Sequence, residues 1–364
     1  MALSSERRAV ALFSGGLDSI LAAKLVQEQG VTVTGLHFVS PFFGKPEKTA
    51  HWESLHGLPI RAIDISAPFA QMLARRPVHG FGSVINPCVD CKILMLRHAR
   101  IIMEEMDACC IISGEVLGQR PMSQRRDTLN IIRRDAGVRD CLLRPLSALH
   151  LDPIQAELDG LIDRAKLLGI SGRGRKDQMA LAERFGLKEI PAPAGGCRLT
   201  EKENARSYWP VLLHSPSPSA TDFHLANTGR QYWHDHEPPP HPAFWLIIGR
   251  NQQDNDALMA LAGEKDLLFK PRDFPGPIAL GRFLGGEWSA QAAQGAAAFV
   301  ASYSPKCMRH AENAGGEAAV RVHPGSLDAP GHVLTVTPSR HPPFAWREYT
   351  WPEACEAIRA ERKG

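Results

Sequence analysis

The sequence has no run approaching the roughly 18 consecutive apolar residues of a membrane span. Its first residues show neither the apolar core nor the cleavage site of a secretory signal. A helical membrane protein is excluded as a reading, and a cytoplasmic location with no membrane partner is the expectation. An excess of one sign of charge is lacking too: Lys and Arg number 42 against 39 Asp and Glu, a net charge of +3, so nucleic-acid binding must rest on local clusters rather than on the total. No HExxH pattern is present. Among eight cysteines there is no second CxxC, which weakens a four-thiolate zinc knuckle. Without a secretion signal the cysteines point to thiol chemistry or metal binding rather than to a disulfide framework. What remains is ordinary for a globular protein. The 364 residues fit two or three domains, 44% are hydrophobic, and Pro 28 with Gly 31 suggests many turns rather than global disorder.

The chain is organised around Ser14-Gly15-Gly16-Leu17-Asp18-Ser19, between the apolar run Ala9 to Phe13 and a helical pattern beginning near Ser19. A strand, a glycine-rich turn and a helix N-terminus together bring backbone N–H groups and the positive end of a helix dipole against an anion. The spacer and Gly-Lys-Ser/Thr ending of the Walker P-loop are absent, which argues against an ordinary kinase or GTPase. A plain strand-turn-helix would also need glycine, but not Ser14, Asp18 and Ser19 together. Further strands are predicted at Val31 to Phe38, Ile60 to Ile65 and Ala108 to Ile112, with helical patterns between them. Strand alternating with helix predicts an α/β fold with a doubly wound parallel sheet. Ligands of such sheets sit beyond the carboxyl ends of strands, so Asp64, Ser113-Gly114-Glu115 and Pro145 are expected on the rim that holds the glycine-rich turn.

Asn86-Pro87-Cys88-Val89-Asp90-Cys91-Lys92 precedes a helix expected from about Ile93 to Met106. Cysteines at i and i+3 of a helix start can face one metal or cluster. A third candidate, Cys197, follows paired glycines far downstream. Three thiolates suit a [4Fe–4S] cube with one iron open, and a redox-active or simply buried CxxC is the alternative. Cys109, Cys110 and Cys141 lie in apolar, strand-like runs and read as core.

The SGGxDS turn resembles the PP-loop of the ATP pyrophosphatase superfamily. Gly114, Glu115, Gly118, Gln119 and Ser123-Gln124 resemble the GE-LGQ-SQ signature of the catalytic domain of tRNA 4-thiouridine synthases. With Leu143-Arg144-Pro145-Leu146 and Ser171 to Lys176, that likeness covers roughly residues 6 to 200. The NPCxxCK segment resembles the cysteine motif of the tRNA 2-thiouridylases, and cysteine at both ends matches the cluster-bearing branch. The resemblance implies ATP with Mg²⁺ held by Ser14, Gly15, Gly16, Asp18, Ser19, Gly114, Glu115 and Gln119. It implies sulfur delivery by Cys88, Cys91 and Cys197, as a [4Fe–4S] cluster or as a persulfide. The expected partners are tRNA and a sulfur donor, a cysteine desulfurase or free sulfide, and a homodimer is possible. Neither the N-terminal THUMP-type region nor a rhodanese-like segment of the full-length synthases is evident, so another part is expected to hold the RNA.

This catalytic domain is placed at 1–205, followed by a Pro/Ser/His-rich linker at 206–242 with one ordered piece around Phe223 to Tyr232. An α+β domain at 243–345 and a helical tail at 346–364 complete the chain. Phe244 to Asn251, Asp266 to Phe269 and Phe274 to Pro277 resemble the NFACT-type RNA-binding domain. A dimerisation or lid role is the competing reading. Arg250 and Asn251 form a polar turn able to approach phosphate. Arg125, Arg126, Arg173, Arg175 and Lys176, with Arg133 and Arg134, form a candidate tRNA track, although such charges are often a solvated face. His234, His236 and His241 read as loop. The expected reaction is adenylation of a uridine carbonyl oxygen followed by sulfur transfer. A PP-loop ligase acting on a small carboxylate, or an RNA-binding protein with a vestigial nucleotide site, are the other possibilities.

Overall fold

The computed structural model describes residues 7–191, 196–234, 243–314 and 316–361. The chain divides into two compact units, Met1–Thr200 and Glu201–Gly364. Among the described residues no helix is long and apolar enough to cross a membrane.

The first unit alternates as predicted: β1 (Arg8–Leu12), α1 (Leu17–Gln27), β2 (Thr32–Val39), α2 (Thr49–His56), β3 (Ile60–Asp64), α3 (Ser66–Ala74), α4 (Cys88–Glu105), β4 (Cys110–Ser113), α5 (Arg126–Asp135), β5 (Leu142–Leu143), α6 (Gln155–Leu158) and α7 (Lys176–Arg184). The sheet order is β3-β2-β1-β4-β5, and every pairing is parallel. A doubly wound sheet follows from the sequence pattern: β1 buries Ala9 to Leu12 without alternation, as a strand covered on both faces must. Helix α1 covers it with Leu17, Ile20, Leu21, Leu25 and Val26, all buried. The chain runs outward from β1 to β3 and then returns to β4 on the other side. The switch point therefore lies between β1 and β4, where Leu12 is in register with Ser113.

Two boundaries differ from expectation. Helix α4 starts at Cys88 rather than near Ile93 because Pro87 sits just ahead of the first turn, and Cys91 N–H donates to the Pro87 carbonyl at 2.8 Å. Both cysteines of the CxxC therefore belong to the first helical turn. Cys110 opens β4, whereas Cys109 and Cys141 lie immediately before β4 and β5.

The second unit contains α8 (Lys202–His214), α9 (Ala220–Ala226), β6 (Arg230–His234), β7 (Phe244–Ile248), α10 (Gln252–Leu261), β8 (Leu267–Pro271), β9 (Ala279–Phe283), α11 (Ala290–Ala301), α12 (Pro305–Ala314), β10 (Ala318–Pro324), β11 (His332–Val336) and α13 (Trp351–Glu361). Its antiparallel sheet runs β11-β10-β8-β9-β7-β6. In place of a linker, the stretch after residue 206 holds most of α8, all of α9 and β6, because Tyr208, Trp209, Val211, Phe223 and Trp233 are buried. Apolar positions inside a Pro/Ser-rich composition decide the outcome. The alanine-rich face of α11 lies on one side of the sheet, against Phe269, Val320 and Val322. Arg282 on β9 is nearly buried and donates to both carboxylate oxygens of Asp266, at 2.9 and 2.6 Å, and to Asp222 of α9. His234 lies in β6, its Nδ1 donating to the Ala345 carbonyl at 2.7 Å. His236 and His241 lie outside the described residues.

Candidate nucleotide and sulfur site

The turn from β1 to α1 is held by its own serines. Ser19 Oγ donates to the Gly16 carbonyl at 2.7 Å and accepts from Ser14 N–H at 3.3 Å. Gly16 N–H reaches Ser14 Oγ at 3.3 Å, and the two hydroxyls stand 3.3 Å apart. Gly15 has φ +74°, and a Cβ there would lie 2.4 Å from the Trp52 indole, so only glycine fits. Gly16 caps α1 with no side-chain hydrogen bond, which leaves the helix start to be satisfied from outside.

Asp18 points into this corner. Its Oδ2 accepts from Gln119 Nε2 at 3.1 Å, so the loop after β4 is tied to the helix after β1 across the switch point. Among the described residues, Asp18 Oδ1 and Gln119 Oε1 are both buried and without hydrogen-bond partners. Buried polar atoms are seldom left so, and a bound nucleotide with its Mg²⁺ would complete both. Gly114 makes the close approach possible: a Cβ on it would lie 2.5 Å from the Asp18 carbonyl oxygen and 2.6 Å from Ser19 N.

Glu115 is a strut rather than an open ligand. Ser113 Oγ and Arg144 Nε both donate to its Oε2, at 3.2 and 3.0 Å, and the Arg144 and Glu115 side chains are buried together. Burial pushes the Glu115 carboxyl up, but the charges of Lys92 and Arg144 outweigh it and hold the group below its ordinary value. Arg144 and Lys92 were not singled out as site residues. An arginine within the apolar run Leu142 to Leu146 was the available signal, since an isolated buried cation needs a carboxylate.

Lys92 also places the CxxC on this rim, one residue after Cys91. The Cys91 thiol is pushed well up, first by burial and then by Cys197, with smaller contributions from Cys88 and Asp90 opposing Lys92. Cys88 is exposed and accepts from Asn86 Nδ2 at 3.1 Å. Asp90 caps the preceding turn, accepting from Val78 and His79 N–H at 3.0 Å each. Arg198 N–H donates to the Phe42 carbonyl at 2.9 Å, and the Thr200 hydroxyl and N–H hold the Cys197 carbonyl at 2.7 and 3.0 Å. The Arg198 bond holds the Cys197 segment against the loop after β2, and the Thr200 bonds close the turn locally; Gly195 lies outside the described residues. Three thiols are the right donor type for a [4Fe–4S] cube. The geometry does not complete it: among the described residues no group of three or more His, Cys, Asp or Glu is placed to hold a metal ion.

The basic track is partly engaged. Arg125 pairs with Asp127 at 3.2 Å, and Arg126 donates to the His150 carbonyl at 2.7 Å. Arg133 and Arg134 pair with Asp152 and Asp135. Arg173 and Lys176 are exposed and Arg175 is half-buried. In the second unit, Arg250 is clasped by both oxygens of Asp254, at 2.6 and 3.1 Å, and Asn251 caps α10 by accepting from Asp254 N–H at 2.9 Å. The Arg250-Asn251 turn is thus a helix-capping device.

Residues 4–159 match the family model for the thiamine biosynthesis protein ThiI, and residues 239–322 match that for the NFACT protein RNA binding domain. The chain is 29% identical over 176 residues to the probable tRNA sulfurtransferase of Thermococcus kodakarensis, covering 46% of this chain and 42% of that one. It is 30% identical over 152 residues to the probable tRNA sulfurtransferase of Lysinibacillus sphaericus, covering 40% and 36%. The chain thus spans about two fifths of the length of these relatives. Among solved structures, a 4-thiouridine synthetase–RNA complex with bound ATP aligns at 24% identity and a TM-score of 0.34, over 57% of this chain and 53% of that one. The first unit is thus similar to the ThiI family over residues 4–159, and the second is similar to the NFACT-type RNA binding domain over residues 239–322.

Proposed function

We propose that the protein thiolates a uridine of tRNA in an ATP-dependent reaction. One observation carries the reading: Gly114, just past the carboxyl end of β4, packs on the Asp18 and Ser19 backbone, and Gln119 Nε2 donates to Asp18 Oδ2 at 3.1 Å, so the GE-LGQ residues meet the glycine-rich turn. Cys88 and Cys91 open α4, the helix that leads into β4, which supports a site in which the turn and the cysteine pair work together. Backbone N–H groups of the Ser14 to Ser19 turn would take the ATP phosphates, and Asp18 would orient Mg²⁺ or the phosphate network. Bound Mg²⁺ would neutralise phosphate charge. The uridine carbonyl oxygen attacks the α-phosphorus and pyrophosphate leaves, which turns a poor leaving oxygen into AMP.

Sulfur enters as a persulfide on one cysteine, loaded by a sulfur donor. Its terminal sulfur attacks the activated carbon and AMP leaves. The thiolate of a second cysteine then attacks the first cysteine's sulfur, a disulfide forms, and the thiocarbonyl is released. Two cysteine sulfurs are oxidised as the sulfane sulfur is reduced, and an external thiol reductant restores the pair. The gain is proximity.

Asp18→Ala should abolish tRNA-dependent AMP formation. Cys197→Ala should leave AMP formation within about threefold of wild type and stop thiouridine formation, read by mass spectrometry of the tRNA; an equal loss of both would make the cysteine structural. Anaerobically purified protein should hold no stoichiometric iron and still thiolate tRNA from a persulfide donor. Iron and acid-labile sulfide near four per chain would replace the persulfide route with a cluster.

A further inference from the structure

The sheet of the second unit is covered unevenly on the face opposite α11. Over β6, β7 and β9 that face is buried, with Trp245, Ile247 and Leu280 inaccessible. On β8 it stays buried at Leu268 and opens to solvent at Lys270, and on β10 and β11 Arg321, Val333 and Thr335 are exposed. Arg321 of β10 lies directly opposite Lys270 of β8, and on its other side opposite Val333 of β11. Arg321 and Lys270 are exposed, and Val333 is 43% exposed. Arg272, in register with Ala319, extends the same face. Its guanidinium clasps Asp273 at 2.8 and 3.0 Å. Asp273 also feels Arg321, but among the described residues neither the Lys270 nor the Arg321 side chain makes a hydrogen bond or ion pair.

Two like charges directly opposite on neighbouring strands destabilise a sheet. Lysine on a strand commonly guards an exposed edge, yet β8 and β10 are interior strands and the edges are β6 and β11. Edge protection therefore does not explain them. Flanking phosphates would turn the repulsion into attraction, and an exposed valine beside them suits the apolar face of a ribose or base. Lys270 and Arg321 also fall within the residues matched to an RNA-binding domain.

We propose that the open shelf of β8, β10 and β11 is the RNA-backbone surface of the second unit, with Lys270 and Arg321 each taking one phosphate. The proposal rests on the reading of this protein as a tRNA-binding enzyme and locates the contact. Phosphate contacts position without reading bases, so the shelf should bind tRNA species about equally and with marked salt dependence.

The test measures binding of the full chain to unmodified tRNA by fluorescence anisotropy over a range of NaCl concentrations. The double variant K270E/R321E is compared with K202E/R359E, which reverses two exposed charges of α8 and α13 in the same unit. Wild type should bind. K270E/R321E should bind at least about tenfold more weakly at low salt, and its plot of log affinity against log salt should be shallower by about 1.4–1.8, two phosphates' worth. The control should change by no more than about threefold. K270Q/R321Q, which removes charge without adding repulsion, should give the same loss of slope and guards against misfolding of the reversed variant. If wild type binds but both shelf variants match the control, the shelf is not the contact and the tRNA reading stands. If wild type does not bind tRNA, the functional reading falls and the shelf with it.

Discussion

Deleting the Arg144 guanidinium would leave the Glu115 carboxylate buried with Ser113 as its remaining close hydrogen-bond donor. Breaking a buried pair in this way costs about 3–5 kcal/mol, whereas exchanging both partners for apolar residues of similar volume is close to neutral. Arg144→Ala should therefore lower the urea midpoint of the first unit strongly, and the double variant R144M/E115L should recover much of it. The same pair sets an acid limit. The folded-state value of Glu115 lies below its ordinary 4.5, so its stabilisation is fully present above pH 4.5 and is lost as pH falls through the lower folded value. The urea midpoint should drop more steeply below pH 4.5 in wild type than in R144M/E115L.

At the level of elements, the contact that matters is the end of β4 against the start of α1. Gly114→Ala would press a methyl group to within 2.6 Å of backbone atoms of Asp18 and Ser19, and a helix backbone cannot step aside as a flexible side chain can. The expected cost is about 1–3 kcal/mol, with ATP affinity falling at least tenfold in a titration of the folded variant. This contact also shows what was legible beforehand. The strand, turn and helix around Ser14 to Ser19 could be read because glycine, hydroxyl and carboxylate requirements coincide within six residues, and local chemistry repeats wherever the same turn is built. The CxxC was legible as a pair, but its position within the first turn of α4 depended on Pro87. The pairing of Glu115 with Arg144 and Lys92 was hidden, because 29 and 23 positions of sequence separate the partners and only the parallel sheet brings them together. Arg250 and Asn251 carried a phosphate-like pattern that Asp254, three and four residues on, turns into a cap. In 206–242 the prolines and serines outweighed a few large apolar residues in composition, while burial followed the apolar residues.

For the molecule as a whole, the proposed reading divides the work between two units with separate sheets. The nucleotide loop and Cys88, Cys91 and Cys197 all lie before residue 200, and the cationic shelf lies after it. A fragment of residues 1–200 should keep tRNA-dependent AMP formation with kcat within about tenfold of the full chain. Its KM for tRNA should rise by at least tenfold, because lost backbone contacts weaken ground and transition states alike. A fall in kcat with KM unchanged would show that the second unit acts on the chemistry rather than on capture. The second unit alone, residues 201–364, has a core of its own around α11 and should fold, read by a cooperative thermal transition in far-ultraviolet circular dichroism.

The Trp52 indole that closes against Gly15 gives the nucleotide loop an optical reporter. Of the seven tryptophans, the other six lie beyond residue 200, so the fragment 1–200 carries a single fluorophore, and that fluorophore rests on the turn where ATP phosphates are expected. It also stands edge-on to Phe13 at 5.8 Å and to His37 at 5.0 Å, so a small movement of the turn alters its surroundings on several sides. Titrating ATP into this fragment should shift or quench the emission with a saturable dependence, and the response should vanish in Asp18→Ala. Occupancy of the loop could then be followed in real time without label, tRNA or turnover.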